Sequence, residues 1–216
     1  MNIVAICGAA DKTRNTATML KSAFDGAMSA PGATGDFVYL YDLAFRGCTG
    51  CHTCKLLGEG KLGHCALKDD LTPVLEKAIG ADVLLIGSPI YYSDVTGETR
   101  SFLERYLFAG MTYNKGRTPL YPKRTKVGWV FTMNAPGDFY KEFFGSLVDL
   151  TGRFIGESEY VMAYQTQQFE DYSKYAATVF DAEAVMKRHA EQFPKDCAEA
   201  YLMGKRLAET PAPLNG

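Results

Sequence analysis

Four of the six cysteines in this chain, Cys48, Cys51, Cys54 and Cys65, fall within eighteen residues, in a stretch otherwise rich in glycine. Such grouping calls for a metal, a redox or a disulfide explanation rather than a packing one. The spacing Cys48-x-x-Cys51-x-x-Cys54 brings three sulfurs onto one tight turn. Thiolates so close repel one another, and with an ordinary thiol pKa of ~8.5 they stay mostly protonated unless positive charge compensates them. An iron-sulfur cluster supplies that compensation, and so does zinc, for which His52 and His64 are additional donors. Structural zinc usually takes spaced pairs of ligands, whereas positions 48, 51 and 54 crowd one side. A bare set of redox-active thiols is the remaining reading. Cys7 reads as a strand-core thiol, Cys197 as a helix thiol and His189 as a surface helix residue.

Two further loops have the composition of a ligand site. The run Gly8-Ala9-Ala10-Asp11-Lys12-Thr13-Arg14-Asn15-Thr16 follows a strand-like segment and precedes a helical one. A turn of this kind presents backbone N–H groups and the positive end of a helix dipole, which favour a phosphate; an ordinary capped βα turn is the alternative. Asn15 and Thr16 add side-chain donors, and Lys12 or Arg14 adds charge. The run Gly87-Ser88-Pro89-Ile90-Tyr91-Tyr92-Ser93-Asp94 offers two tyrosines, a fixed proline and small polar residues, which suit a flat aromatic ring or, equally, a core or interface contact.

The elements that must position these loops follow from hydrophobic periodicity. Short apolar, β-branched runs at 3–7, 37–41, 83–88, 126–132 and 160–164 alternate with helical patterns, as in βαβ units around a parallel sheet. Five strands suit a doubly wound α/β fold, whose commonest strand order is 2-1-3-4-5 and in which ligands bind at the carboxyl ends of the strands. Helices are expected over 15–28, from Leu71 behind an Asp70 cap, around 102–107, over 139–150, and after Pro194, which fits a first helical turn. The segments 111–123 and 165–181 lack periodicity and read as lids or subunit contacts. One domain spanning 1–209, carrying a cysteine-rich loop at 46–67, and a frayed tail at 210–216 complete the expected organisation.

Composition narrows the partners. With 23 Lys+Arg against 25 Asp+Glu, nothing suggests a nucleic-acid footprint or a basic membrane-binding face. No apolar run approaches the ~20 residues that span a bilayer. The chain starts directly with a strand-like run rather than a basic leader, so a cytoplasmic protein is expected, in which structural disulfides are rare.

Together, the loop 8–16, the cysteine run from Gly47 through Cys65 to Asp69-Asp70, and the loop 87–92 resemble the flavodoxin-like NAD(P)H-dependent FMN reductases, and within them the iron-sulfur flavoproteins. The likeness covers roughly residues 1–110. It implies that Gly8, Lys12, Arg14, Asn15 and Thr16 hold the FMN phosphate, that Pro89, Ile90, Tyr91, Tyr92 and Ser93 line the isoalloxazine, and that Thr132, Met133 and Asn134 complete the ring site. It implies NADH or NADPH as cosubstrate, stacking directly on the flavin because no separate dinucleotide fingerprint is present. A small electron acceptor such as a quinone or free flavin, and a homodimer or homotetramer, follow in the same way, with Tyr113 or Tyr140 shaping the open face. In the iron-sulfur alternative, Cys48, Cys51, Cys54 and Cys65 ligate a [4Fe-4S] cluster that receives electrons from a ferredoxin.

The sequence departs from the family pattern twice. Ala9, Ala10 and Asp11 stand where the phosphate loop usually has Ser, Pro and Arg. A lost hydrogen bond to a charged group is worth about 1.5–3 kcal/mol, enough to weaken FMN by one or two powers of ten unless Lys12 or Arg14 compensates. FMN is therefore expected to be partly lost on purification. The gap from Cys54 to Cys65 is about twice that of the compact motif, but doubling a flexible loop costs only ~0.6 kcal/mol of closure entropy.

Overall fold

The computed structural model describes residues 1–58, 60–116, 119–137 and 139–209; the tail at 210–216 lies outside the described residues. Five strands, β1 (Asn2–Cys7), β2 (Thr34–Tyr39), β3 (Val83–Pro89), β4 (Lys126–Thr132) and β5 (Ser158–Ala163), form one parallel sheet in the order β2-β1-β3-β4-β5. Five helices connect or follow them: α1 (Asn15–Met28), α2 (Leu71–Ile79), α3 (Gly97–Gly110), α4 (Lys141–Phe154) and α5 (Ala182–Glu209). β3 and β4 are buried along their whole length, which explains their continuous apolar runs, and the edge strands β2 and β5 are only half-buried.

Each face of the sheet carries its own core. On one, α2, α3 and α4 cover Val4, Ile6, Leu84 and Ile86, and Trp129, Phe131 and Phe144 stack in series with Trp129 Nε1 donating to Thr151 Oγ1 at 3.2 Å. On the other, α1 and α5 cover Ile3, Ala5, Val83 and Leu85. These two helices approach closely: a Cβ at Gly204 would lie 1.8 Å from the Ala23 carbonyl oxygen. The expected stripe Leu71, Val74, Leu75 and Ala78 is buried as one face of α2. No described helix is long and apolar enough to cross a membrane.

Three local expectations are corrected. β2 starts at Thr34 rather than 37, because pairing with β1 from Asn2↔Thr34 onward extends the strand through Gly35 and Asp36, which have little strand propensity of their own. Asp69, not Asp70, serves the start of α2: its Oδ1 accepts from the Leu71 N–H at 3.2 Å, while Asp70 accepts from the Ala44 N–H at 2.8 Å. The last helix begins at Ala182, with Pro194 inside it rather than in its first turn. Asp181 caps that true start, its Oδ1 accepting from the Ala184 N–H at 3.0 Å, and Glu183 sits in the first turn.

Candidate active site and cysteine loop

The carboxyl ends of β1, β3, β4 and β5 open onto a cavity of about 480 Å³. The loop after β1 contributes Ala9, Ala10, Asp11, Arg14, Asn15 and Thr16; the loop after β3 contributes Pro89, Ile90 and Tyr91; that after β4 contributes Thr132, Met133 and Asn134. Thr166, Gln167, Gln168 and Phe169 close the far side.

Hydrogen bonds fix the first and third loops to each other. The Gly8 N–H donates to the Gly87 carbonyl at 2.8 Å, the Thr96 hydroxyl donates to the Gly8 carbonyl at 2.8 Å, and the Thr96 N–H donates to Ser88 Oγ at 3.0 Å. Residue 8 has to be glycine here, since a Cβ would lie 1.8 Å from Thr99 Oγ1. Thr16 and Thr132 join α1 to β4 through their buried hydroxyls, 2.7 Å apart.

The charges of the first loop are satisfied internally. Lys12 turns away from the cavity, donating to Asp42 at 2.7 Å and lying over the Tyr39 ring. Asp11 Oδ1 accepts from the Thr13 N–H at 2.8 Å and the Thr13 hydroxyl at 2.7 Å, and these bonds, with the nearby Arg14, hold its carboxyl below the usual range. Arg14 reaches Asp11 at 3.4 Å and Glu170 at 3.3 Å, and Asn15 Nδ2 donates to the Gln167 carbonyl at 2.9 Å. Helix α1 begins without a side-chain cap, so its first-turn N–H groups gain no partner from Arg14.

Nine of the thirteen sequence-selected residues of this group line the cavity, and Gly8, Lys12, Tyr92 and Ser93 are placed otherwise: Gly8 lies behind the wall, and Tyr92 and Ser93 occupy the tip of a tight turn.

 The nine on the wall are Arg14, Asn15, Thr16, Pro89, Ile90, Tyr91, Thr132, Met133 and Asn134. The turn that carries Tyr92 and Ser93 outward has both residues at positive φ and is closed by reciprocal backbone bonds between Tyr91 and Asp94 at 2.9 and 3.0 Å. Neither Tyr113 nor Tyr140 lines the cavity; Phe169 does. The stretch 166–169 was missed as a wall because it has no motif, although each strand of a parallel sheet delivers a loop to this end. Its tie is backbone-led: the Met133 carbonyl accepts from both the N–H and the hydroxyl of Thr166, at 3.1 and 3.2 Å.

The cysteine loop hangs on the outside of α3. The Cys48 N–H donates to Glu104 at 3.2 Å; Arg105 Nε donates to Cys65 Sγ at 3.3 Å; and Lys55 Nζ donates to the carbonyls of Phe108, Ala109 (3.1 Å) and Met111 (2.6 Å) at the end of the helix. Cys48, Cys51, Cys54 and Cys65 all line one small cavity of about 20 Å³, room for about one water, together with His52, Arg105 and Phe108. The excursion between Cys54 and Cys65 closes through the Gly63 N–H donating to the Cys54 carbonyl at 3.0 Å. All six thiols are free. Among the described residues no three Cys, His, Asp or Glu side chains stand as a ready-made metal site. His64 pairs with Glu76 at 2.9 Å, and His52 packs edge-on against Phe108. The Thr53 N–H and hydroxyl hold the exposed Cys51 thiol below its ordinary pKa, whereas burial pushes Cys54 up, with Cys65 and Cys48 adding to the rise and Lys55 opposing it.

Away from this loop, Cys7 is a buried strand thiol and Cys197 a half-buried helix thiol, as read from the sequence. His189 is half-buried rather than a surface residue: it stacks on Phe193 at 4.7 Å between ring centres, and burial lowers its pKa.

Residues 1–125 match the family model described as NADPH-dependent FMN reductase. The chain belongs to that family. Relatives of this chain include an iron-sulfur flavoprotein from Archaeoglobus fulgidus, 33% identical over 111 residues that make up 51% of each chain. Another from Methanocaldococcus jannaschii is 30% identical over 105 residues, 49% of this chain and 51% of the relative. The chain thus spans about half the length of the curated relatives it matches. Among solved structures, an NAD(P)H:quinone oxidoreductase from Methanothermobacter marburgensis shares the fold with a TM-score of 0.67 at 15% identity, covering 98% of both chains. An FMN-dependent NADH-azoreductase from Bacillus anthracis, in complex with FMN, shares it at 0.60 and 14% identity, over 97% of this chain and all of that one.

Proposed function

We propose that this chain is an FMN-dependent oxidoreductase that takes electrons from NADH or NADPH and passes them to a small acceptor such as a quinone or free flavin. The observation that carries this reading is the 480 Å³ cavity at the carboxyl ends of the strands, walled on one side by the uncapped start of α1 and on the other by Pro89, Ile90 and Tyr91. The uncapped first turn fits a phosphate, and Asn15 and Thr16 lie beside it. Pro89 to Tyr91 and Thr132 to Asn134 offer backbone groups and flat surface for the ring, and Tyr91 and Phe169 lie on its border. FMN, when bound, supplies the capacity to accept a hydride and to release electrons one or two at a time. The protein's own part is binding, orientation and control of water; no side chain on the cavity wall stands out as a required acid or base. Tyr41, close to Tyr91 and Glu98, has its phenol pushed up to about 12 by burial and the Glu98 carboxylate, so it keeps its proton throughout the neutral range. A homodimer or homotetramer with the flavin site near a subunit boundary is part of this proposal, as the family resemblance implies.

A second reading is favoured by the four thiols on one cavity: an iron-sulfur flavoprotein in which Cys48, Cys51, Cys54 and Cys65 hold a [4Fe-4S] cluster and a ferredoxin supplies single electrons. The donor chemistry suits such a cluster, since all four thiols are free and line one cavity; that cavity has room for about one water, so holding a cluster requires the exposed segment with Cys48 and Cys51, which has no regular structure, to move outward. An ultraviolet-visible spectrum with iron and zinc analysis on protein purified without oxygen, before and after adding NADH or NADPH, separates the two. Flavin bands that bleach with nucleotide and no iron give the reductase. About four irons per chain and no bleaching by nucleotide give the electron carrier. The absence of flavin after incubation with FMN sinks both.

A further inference from the structure

Arg105 is an odd residue to find where it is. Its side chain is wholly buried, on the helix that backs the cysteine cavity, and it is part of that cavity's wall. Nη1 is fully used, donating to both Asp69 carboxylate oxygens at 2.7 and 2.8 Å and to the Arg46 carbonyl at 3.2 Å. Nε donates to Cys65 Sγ at 3.3 Å. Nη2 is buried and has no hydrogen-bond partner among the described residues. A buried donor on a cation is seldom left unmade, so an unpaired one asks for an absent acceptor. Four thiols share its cavity, together with Thr49 and His52, and thiols that bind metal do so as anions.

We propose that Arg105 is the positioning residue and built-in countercharge of the cysteine cavity, fixing the Cys65 sulfur through Nε and offering Nη2 to an anionic inorganic centre held by the four thiolates. This rests on the iron-sulfur reading of the site. Asp69 acts one step further out, orienting the guanidinium through Nη1 so that its other two nitrogens face the sulfur side. Hydrogen bonds to sulfur and nearby positive charge stabilise the more reduced, more negative state of such a centre. Addition of one electron without a proton makes the centre more negative by one charge, and Arg105 favours that state.

The test uses R105Q, R105K and D69N in the full chain, in two states. In the metal-free state, Cys65 is modified with iodoacetate, an anion, and with iodoacetamide, which is neutral, and the rates are read by peptide mass spectrometry. The ratio of the two rates reports local charge and does not depend on how much thiolate is present. It is expected to fall about fivefold in R105Q, to stay within about twofold of the parent in R105K, and to rise in D69N, which leaves the cation uncompensated. In protein reconstituted with iron and sulfide, the midpoint potential followed by electron paramagnetic resonance is expected to fall in R105Q by about 59 mV, a tenfold change for one electron, and by less in R105K. An unchanged ratio in R105Q overturns the assignment, as does a potential that R105Q leaves where it was. Should R105Q fail to fold, an unchanged ratio in D69N overturns it equally. A shifted ratio in a parent protein that takes up no iron supports Arg105 as the thiolate's countercharge and removes the cluster reading instead.

Discussion

The cavity at the strand ends and the cavity among the cysteines are built on different principles. The first is assembled by the sheet: neighbouring loops leave adjacent strands, and the bonds between Gly8, Gly87, Ser88 and Thr96 lock them in the rigid centre of the molecule. The second belongs to a loop without strands, suspended chiefly from α3 by Glu104, Arg105 and the carbonyls that Lys55 reaches, with His64 on Glu76 of α2 as a further tie. The difference teaches that a site can be preformed by topology or hung by a few charged contacts. In the second case, loss of the loop's contacts is expected to leave the sheet-built cavity intact.

The largest effect is expected where the sheet-built site is broken. A Gly8→Ala variant puts a methyl 1.8 Å from Thr99 Oγ1 and 3.0 Å from Thr96 Oγ1. Overpacking of this kind costs about 3 kcal/mol at its upper range. Urea unfolding should show that loss together with weakened FMN binding, and an unaltered midpoint would mean that the two loops are not locked as described.

Next comes the suspension. Lys55→Met removes the ammonium from the end of α3, and hydrogen bonds to a charged group are worth about 1.5–3 kcal/mol, so a loss of about 2 kcal/mol is expected. FMN affinity, measured by fluorescence quenching, should stay at the parent value; a parallel loss would tie the two cavities together. Asp11→Ser sharpens the contrast from the other side, since it removes a carboxylate from the cavity wall. A tenfold tighter FMN, about 1.4 kcal/mol, is expected in the same titration.

A smaller effect is expected with pH. Burial raises the Asp69 carboxyl, but the hydrogen bond and charge of Arg105, with the N–H groups of Arg46 and Leu71, outweigh it and leave the pKa below the ordinary value. A carboxyl depressed in the folded state adds stability that is complete above the unfolded value of ~3.9 and is lost as the pH falls through the lower folded value. Asp69→Asn should therefore flatten the acid side of a stability profile measured by urea at stepped pH, and a parallel profile would count against the pairing. Smallest of all, metal-free protein treated with iodoacetamide near neutral pH should label Cys51 a few-fold faster than Cys54, because Cys51 is exposed with its pKa lowered and Cys54 is buried with its pKa raised. Equal rates would show that the loop opens freely.

The same contrast explains what could be read from the sequence. The strands and the helix over 15–28 were legible because apolar runs and helical stripes report burial directly, as the fully buried β3 and β4 illustrate, and the strand order followed from the commonest arrangement of doubly wound sheets. Pro194 misled because proline usually opens a helix, and the Asp181 cap thirteen residues earlier was the stronger signal. In the cavity, the loops after β1, β3 and β4 could be anticipated from strand-end logic. The outward turn of Lys12 could not, because it depends on Asp42 and Tyr39, which only the folded chain brings alongside. Nor could Arg105, which looks like one more charge on a helix until Asp69 and Cys65 are folded against it.

The Lys55 ammonium also gives α3 an unusual last turn. Its terminal carbonyls, open to solvent in most helices, are held by a residue of the cysteine loop, so fraying of the helix and departure of the loop become one cooperative event. Amide hydrogen exchange near Met111, whose N–H donates to the Leu107 carbonyl at 3.0 Å, would then slow whenever a guest pins the thiols, and would serve as a gauge of occupancy read from the far side of the helix.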